Sequence, residues 1–262
     1  LEEIDKKYGI PRKTEILYHH EVEEYDEEDD TPDYPVHVFF TRESYFKKIT
    51  PQSLRMSGEQ RCKEGDAVVQ TFETTNRAEL LVFTNQCQVY KTRLSEFEDT
   101  KASVLGDYLP TKLGMDEGEQ AIFLCLPGDY SGNLLFVFEN GKAAKVALAS
   151  YATKTNRKRL TGAYSGKSPL VGAFLLAEDE EFAIYSTENR ALIFHTAELT
   201  PKASRDTQGV NVMSLKPKYK VRHVCRLGDS TITQVARYKV RSLPAAGARL
   251  QDCDTLDVQI TL

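Results

Sequence analysis

The sequence contains no tryptophan, only three methionines and only five cysteines. The cysteines, at positions 62, 87, 125, 225 and 253, are odd in number and form no Cys-x-x-Cys pair. This usage favours buried free thiols in a reducing compartment over a disulfide framework or a zinc site. No apolar stretch approaches the roughly 18 residues that a transmembrane helix needs, so we expect no membrane partner.

The sequence also lacks the motifs that mark common catalytic and cofactor sites. It has no phosphate-binding loop of the P-loop type, no HExxH, no GxSxG and no paired Cys/His ligand set. His19 and His20 are adjacent, but no third metal ligand stands at a suitable spacing. We therefore predict that the chain itself is not an enzyme, binds no metal and carries no cofactor.

Charge is spread unevenly along the chain. The net charge is −5, but residues 1–33 hold 13 acidic and 4 basic residues, a net of −9. The remaining 229 residues hold 26 acidic and 30 basic residues, a net of +4. The acidic block EVEEYDEEDDTPD, residues 21–33, has too few apolar residues to collapse, which predicts a solvated tether. The alternative is that this block imitates a nucleic-acid backbone and competes for a basic surface.

A short helix is predicted before the tether. Leu1, Ile4 and Tyr8 stand at helical spacing, and a Gly and a Pro follow soon afterwards. Because the chain begins with Leu, we expect it to be part of a longer protein. We assign residues 1–33 to a connector helix and an acidic linker.

The rest of the chain repeats one pattern four times. In the copy LLFVFENGKAAKV, two apolar runs flank a polar turn in which Asn140 and Gly141 tolerate positive φ. The other copies are VHVFFTRESYFKKI, LLVFTNQCQVYKT and FAIYSTENRALIFH, and aligning the turns pairs Phe46, Val89, Ala143 and Leu192. A period near 50 residues with a hairpin in each unit predicts an all-β, propeller-like repeat array. The alternative is a β-sandwich whose hairpins are alike by chance.

Each unit is predicted to contain a strand, a turn, a strand, a basic loop and a return strand. The units are residues 34–75, 76–130, 131–178 and 179–227, and the return strand of the last is placed at Val210–Leu215. The first-strand aromatic residues are expected in the core and not in a base-stacking platform: Phe39, Phe83, Phe136 and Tyr185. The tail, residues 228–262, is less regular, with possible closing strands at Thr231–Val240 and Leu256–Thr261.

Positive charge recurs on the second strand and the following loop of each unit. If the units form a ring, these positions fall around one rim, along which a duplex can bend through phosphate contacts that do not depend on sequence. The cluster from 154 to 167 is the hardest to explain as ordinary surface, and its glycines would let backbone amides approach phosphates. The competing interpretation is an ordinary solvated surface. The candidate DNA-binding residues are Lys47, Lys48, Arg55, Arg61, Lys63, Lys91, Arg93, Lys145, Lys154, Arg157, Lys158, Arg159, Lys167, Arg205, Lys216 and Lys218.

Three stretches resemble the C-terminal region of the larger, DNA-cleaving subunits of bacterial type IIA topoisomerases, the gyrase A and topoisomerase IV A family. EIDKKYGIPRKTEI, residues 3–16, resembles the segment that leads from the catalytic core into the C-terminal domain. SYFKKI, QVYKT and GKAAKV resemble the repeated Gly-Tyr-Ile-Lys-Arg and Gly-x-Val-Tyr units of the family. RDTQGVNVMSLK, residues 205–216, resembles its recurrent blade ending.

The resemblance implies a β-pinwheel, a propeller-like disc whose blades exchange strands. It also implies a non-catalytic domain that binds and bends DNA for an ATP-dependent type II topoisomerase in the bacterial cytoplasm, associated with the nucleoid. The implied partners are double-stranded DNA, bound without sequence preference, the ATPase subunit, and the rest of the gyrase A or topoisomerase IV A polypeptide. The DNA-cleaving tyrosine and the ATPase site would lie outside this chain.

The sequence departs from the gyrase pattern in two ways. The first-unit loop, SLRMSGEQRCKEG, lacks the Gln-Arg-Arg-Gly-Gly-Arg-Gly box, and NRKRLTGAYSGK is the nearest stretch in chemistry. Four units are present, where gyrase typically has six. Both departures favour a parent closer to topoisomerase IV, or a diverged paralogue, with weaker wrapping. The alternative function is a propeller-like protein-interaction scaffold with little DNA affinity, which an even scatter of Lys and Arg would favour.

Overall fold

The computed structural model describes residues 31–56, 58–153 and 158–254. The chain divides into two compact units, residues 1–32 and 33–262, and the second contains four four-stranded antiparallel sheets. The predicted connector helix, nearly all of the acidic linker and the possible strand Leu256–Thr261 lie outside the described residues. Within the described ranges, no helix is long and apolar enough to span a membrane.

The strands are grouped here by the sheet, or blade, to which they belong. The first blade contains β1 (Pro35–Thr41), β2 (Tyr45–Ile49), β3 (Val68–Thr75) and β6 (Asp107–Tyr108). The second contains β4 (Glu79–Thr84), β5 (Gln88–Arg93), β7 (Ala121–Cys125) and β10 (Arg159–Thr161). The third contains β8 (Asn133–Phe138), β9 (Lys142–Ala147), β11 (Leu170–Leu176) and β14 (Val210–Asn211). The fourth contains β12 (Glu181–Ser186), β13 (Arg190–His195), β15 (Val221–Arg226) and β16 (Ala248–Arg249). Three short helices lie in the described connections between strands: α1 (Pro51–Met56), α2 (Leu109–Lys112) and α3 (Val235–Tyr238).

Each blade is completed by a strand from later in the chain. In the first blade the strand order is β3-β1-β2-β6, and β6 follows the β4–β5 hairpin of the second blade. The other orders are β10-β5-β4-β7, β11-β8-β9-β14 and β15-β12-β13-β16. The same exchange therefore occurs in all four blades, with the tail supplying the last strand. The predicted all-β pinwheel of four blades is confirmed.

The four hairpins share a three-residue turn. The third turn residue has a positive φ in every copy: 68° at Ser44, 56° at Cys87, 81° at Gly141 and 59° at Asn189. This geometry is typical of a type I turn followed by one left-handed residue. The second residues after the turns align as Phe46, Val89, Ala143 and Ala191. The predicted alignment is therefore wrong by one residue in the fourth copy, where it placed Leu192.

Continuous apolar runs form the central strands because both faces of these strands are buried. In β8, Leu134 and Phe136 pack against the second blade, whereas Leu135 and Val137 pack against the fourth. A third cluster joins the first blade to the second. Strands covered on both faces need no alternation of apolar and polar residues, which explains the runs LLVF, LLFVF and FAIY. The aromatic residues Phe83, Phe136 and Tyr185 are fully buried, as predicted.

The first blade differs from the others in its outer face. In β1, Val36, Val38 and Phe40 are buried against the second blade, whereas His37 and Phe39 are only half-buried. Within the described ranges, no apolar cluster joins the first blade to the fourth. The alternation in VHVFF therefore marks a sheet that packs on one side, and Phe39 is less buried than we predicted.

The return strand of the fourth unit differs from the prediction. We placed it at Val210–Leu215, but only β14 is extended there, and it pairs with β9 of the third blade. The fourth blade instead uses β15, which pairs with β12. Strand exchange explains the error, because the first strand after each of the second, third and fourth hairpins belongs to the preceding blade.

The tail covers the outer face of the fourth blade. Residues 228–254, here called the tail cap, bury Ile232, Tyr238 and Leu250 against that face. The buried carboxylate of Asp254 accepts hydrogen bonds from the Tyr238 hydroxyl at 2.8 Å and from the Thr233 backbone N–H at 2.7 Å. The stretch predicted as a strand at 231–240 contains α3 instead, and β16 completes the blade.

The cysteines provide a test of this packing. Cys125 and Cys225 are buried, and burial raises the pKa of their thiols to about 12 and about 11, whereas Cys253 is exposed. A thiol with a raised pKa stays protonated at pH 8 and reacts slowly. We expect an aromatic disulfide reagent to label Cys253 in the native protein and Cys125 only after unfolding. Peptide mass spectrometry measures this, and rapid native labelling of Cys125 would contradict the described core.

Candidate nucleic-acid interface

One segment recurs beside the second strand of every blade. We call these segments the exchange loops because each leads into an exchanged strand: residues 98–106, 152–158, 200–209 and 239–247. Of the second loop, residues 152, 153 and 158 are described. Single parallel bridges join Lys48 to Asp99, Val146 to Lys202 and Ile193 to Lys239. The first, third and fourth loops therefore occupy equivalent places along their sheets.

A glycine closes three of the four exchange loops. Gly106, Gly209 and Gly247 have φ angles of 88°, 70° and 71°. A Cβ placed on Gly209 would lie 2.0 Å from the Ala143 carbonyl oxygen, and the corresponding distances at the other two loops are 2.2 and 2.5 Å. The glycines thus allow each exchanged strand to approach the hairpin that it joins.

The exchange loops carry exposed cations. Within the described ranges, no carboxylate lies within ion-pair distance of Lys101, Lys202 or Arg241. Lys158 is 82% exposed, and its Nζ lies 3.9 Å from Glu96. Lys239 is exposed and pairs with a carboxylate of β12. An anion from solvent can therefore reach a cation on every exchange loop.

A polar cleft of about 480 Å³ lies between β10 and the third exchange loop. Arg205 lines it, with its guanidinium over the Tyr151 ring at 5.9 Å and Nη1 donating to the Ser150 carbonyl oxygen at 3.0 Å. A guanidinium has five N–H groups, so donors remain for a phosphate oxygen. The other lining residues are Thr161, Gly162, Ala203, Ser204 and Asp206.

Some lysines that we predicted at a DNA surface are buried. Lys47, Lys48 and Lys145 have 1%, 2% and 5% of their surface exposed, and the Lys91 side chain has 12%. Nζ of Lys47 donates to the carbonyl oxygens of Arg61 at 2.7 Å and Ala102 at 3.2 Å, and burial lowers its pKa. Side chains enclosed in this way cannot meet a phosphate, so Lys47, Lys48 and Lys145 leave the candidate interface, and Lys91 is only partly exposed.

Other predicted residues are exposed but paired with carboxylates. Lys63 pairs with Glu43 at 2.6 Å, and Lys216 pairs with Glu188; both of these glutamates lie in hairpin turns. Arg159 pairs with Asp116, which holds the pKa of that carboxyl below its usual range. Exposed ion pairs are weak because water screens them, so a phosphate can displace them.

The remaining predicted residues are distributed as follows. Arg55, Arg61, Lys167 and Lys218 are exposed, and Arg93 is half-buried. Lys154 and Arg157 lie outside the described residues. The Arg61 backbone N–H donates to the Ala102 carbonyl oxygen at 2.9 Å, which places it beside the first exchange loop. The predicted cations thus fall in different environments: some lie in the interior, some pair with carboxylates of the hairpin turns, and others lie on or beside the exchange loops.

Lys101, Lys239 and Arg241 were not among the predicted residues. A signal for them exists in the sequence, because a basic residue precedes Gly106, Gly209 and Gly247 by four to eight positions. In the described part of the chain, no group of three His, Cys, Asp or Glu side chains could hold a metal ion, and His19 and His20 lie outside that part.

Comparison with curated proteins finds topoisomerases. No protein-family model matches the chain. The chain is 23% identical over 221 residues to topoisomerase 4 A of Staphylococcus epidermidis, a match that covers 82% of this chain and 28% of that protein. It is 22% identical over 250 residues to DNA gyrase A of Lawsonia intracellularis, a match that covers 92% and 29%. The chain thus spans less than a third of the length of these relatives.

Solved structures show the same fold. The C-terminal domain of DNA topoisomerase IV has a TM-score of 0.66 at 24% identity, over 76% of this chain and 63% of that one. The E. coli ParC C-terminal domain has a TM-score of 0.61 at 11% identity, over 83% and 94%. These likenesses confirm the resemblance inferred from the sequence, that of a C-terminal pinwheel of the gyrase A and topoisomerase IV A proteins.

Proposed function

We propose that this chain is the non-catalytic DNA-binding and DNA-bending domain of a type II topoisomerase of the gyrase A and topoisomerase IV A family. Sequence similarity to gyrase A and topoisomerase IV A and the shared pinwheel fold support this proposal. The parent would be an ATP-dependent topoisomerase of the bacterial cytoplasm, associated with the nucleoid. Its partners would be duplex DNA, the ATPase subunit, and the DNA-cleaving core of the same polypeptide.

The exchange loops are the observation that carries the proposal. Strand exchange places an equivalent loop beside every blade, and each described loop offers at least one exposed cation. A duplex that follows the blades would meet a positive charge at each step. Contacts of this kind bind phosphates, release counterions and do not depend on base sequence.

Bending is expected to be modest. A smooth bend of 40–90° in a 20–30 bp site costs on the order of 1–6 kcal/mol, which phosphate contacts must offset. The three buried lysines, Lys47, Lys48 and Lys145, contribute none of these contacts, and the first-unit loop lacks the glycine-rich basic box. The domain would therefore bind a duplex more readily than it wraps one.

The test is a titration of a duplex of about 40 bp across a salt series. We expect log K to fall linearly with log salt concentration, by about 0.9 per phosphate contact. Fluorescence transfer between dyes on the duplex ends measures bending, and a duplex of shuffled sequence should bind equally well. Absence of binding even at low salt would overturn the proposal.

A protein-interaction scaffold is the second candidate function. The pairing of turn carboxylates with Lys63, Lys216 and Lys220 favours it, because these pairs leave little net positive charge at the hairpin turns. A chain that fails to bind DNA while the whole parent polypeptide binds it would support the scaffold.

Removal of residues 1–33 is expected to strengthen duplex binding at low salt. The deletion takes away a net charge of −9 and leaves a net of +4, so repulsion of the duplex falls. The difference should shrink as salt rises, because screening shortens the range of exposed charges. As a control, the acidic side chains of residues 21–33 are replaced by their amides in the full chain, which should reproduce most of the gain. Unchanged or weaker binding would rule out competition by the acidic block.

A further inference from the structure

Three blades carry a buried or largely buried lysine at the same position of the second strand. Lys48, Lys91 and Lys145 each stand two residues after the aligned hairpin positions. Each faces the equivalent residue of the first strand: Val38, Leu81 and Leu135. Their side chains are 2%, 12% and 4% exposed. A charged group recurring in an apolar interior needs partners that compensate its burial.

The first lysine reaches into the next blade. Nζ of Lys48 donates to Asn76 Oδ1 at 2.6 Å and to the Leu94 carbonyl oxygen at 3.0 Å, and it lies 3.3 Å from Asp99. Asn76 precedes the second-blade hairpin, and the other two follow it. Asn76 and Leu94 therefore belong to the entry and exit of the second-blade hairpin, whereas Asp99 lies in the first exchange loop.

The third blade repeats this arrangement. Nζ of Lys145 donates to Asp179 Oδ1 at 2.5 Å and to the Thr196 carbonyl oxygen at 3.3 Å. Thr196 begins the 3-10 turn after β13, as Leu94 begins the 3-10 turn after β5. The hydrogen bond from Lys145 also lowers the pKa of Asp179. The same carbonyl of the following blade therefore accepts from a lysine in two separate copies.

Lys91 also joins the second blade to the third, but its partners are a threonine hydroxyl and a tyrosine ring. Its Nζ donates to Thr153 Oγ1 at 3.3 Å and lies 5.1 Å from the centre of the Tyr130 ring. Tyr130 precedes β8, and Thr153 follows β9. Glu79 binds both Lys91 and the Tyr130 hydroxyl, at 3.0 and 2.8 Å.

The fourth blade has no lysine at this position. Ile193 takes the place and is fully buried among Ile232, Tyr238 and Leu250 of the tail cap. The blade faces an apolar cap at this point instead of the polar entry of another blade. A lysine is therefore present where a further blade follows and absent where the cap follows.

We propose that Lys48, Lys91 and Lys145 are tethers that fix each blade to the next and so position the exchange loops along a bound duplex. Apolar burial is non-directional and tolerates sliding between blades. A buried ammonium group does not tolerate such sliding, because movement of one blade against the next would leave the group and its acceptors unpaired. The positioning of the duplex rests on the proposed function, whereas the tethering of the blades does not.

Hydrogen exchange tests the tether in the full chain. In Lys145→Met the side chain keeps much of its volume and loses its charge, so the third and fourth blades should separate more often. We expect the amides of Thr196 and Glu180, which bond across the entry of the fourth blade, to exchange at least tenfold faster. Amides of the β8–β9 ladder should not change, and Lys167→Met, at an exposed lysine, is the matched control.

A second variant keeps the test decisive if Lys145→Met does not fold. Asp179→Asn preserves the shape of the acceptor and removes its charge, so it should accelerate exchange of the same amides. The double variant should exchange no faster than Lys145→Met alone, because both changes break one contact. Unchanged exchange in Asp179→Asn, or in a folded Lys145→Met, would overturn the tether.

The role in DNA positioning has its own readout. Lys145→Met should leave the salt slope of duplex binding unchanged, because no phosphate contact is lost. It should change the end-to-end fluorescence transfer of the bound duplex by at least a quarter of the wild-type change. Faster amide exchange with an unaltered bend would overturn the positioning role while supporting the tether. Failure of the wild-type chain to bind DNA would overturn the positioning role together with the proposed function, and the exchange result would still decide the tether.

Discussion

Replacement of Lys101, Lys158 and Lys202 by glutamine is expected to weaken duplex binding about a hundredfold at 0.1 M salt. These side chains are exposed and lie on three successive exchange loops, so a duplex along the blades would contact all three. The salt slope should fall by about 2.7, because each lost phosphate contact removes about 0.9. Fluorescence anisotropy of a labelled duplex measures both quantities.

A charge-matched variant separates contact from net charge. Lys63, Lys216 and Lys220 are also exposed, but they pair with Glu43, Glu188 and Glu139 of the hairpin turns. Their replacement by glutamine changes the net charge equally and should weaken binding less than fivefold if the duplex follows the exchange loops. Equal losses in the two variants would show that only net charge matters and would contradict this path. Both sets are on the surface, so the free energy of unfolding should change by about 0.5 kcal/mol or less per site.

Gly209→Ala is expected to destabilise the protein by about 3 kcal/mol or more. The new Cβ would lie 2.0 Å from the Ala143 carbonyl oxygen, and φ at this position is 70°. The close contact and the positive φ both involve backbone, which cannot move aside as a flexible side chain can. Relief would require β14 to leave β9, which would open the third blade. Urea unfolding followed by circular dichroism measures the loss.

Gly228→Ala is the control for a general effect of alanine. A Cβ at Gly228 would meet no atom within 4 Å, and its φ is outside the left-handed range. This variant should unfold within about 0.5 kcal/mol of the wild type. A Gly209→Ala protein with an unchanged unfolding midpoint would contradict the described approach of β14 to β9.

The hairpins could be predicted because their signals are local. A turn that needs a left-handed residue lies between two apolar runs, and this pattern survives in every copy. The exchanged strands could not be predicted, because β6, β14 and β16 contain two residues each and β10 contains three. Segments this short show no periodicity, and their partners are distant in sequence.

The type of residue at the interface was predictable, but the position of each charge was not. Lys47 and Lys48 are adjacent in β2 and therefore face opposite sides of the sheet, yet both are buried. One donates to Arg61 and Ala102, and the other donates to Asn76 and Leu94. These partners lie 14 to 55 residues away, so the surrounding sequence does not reveal that these charges are satisfied internally.

Strand exchange also sets the order in which the blades can be completed on the ribosome. The first blade stays one strand short until residue 108 has emerged, and the fourth does so until residue 249. None of the first three blades can close before the hairpin of its successor has been synthesised, so an open sheet edge moves along the nascent chain. At about 5–20 residues per second, each edge would stay open for several seconds. Two successive blades are therefore unfinished together for part of synthesis, and the tail completes the last blade.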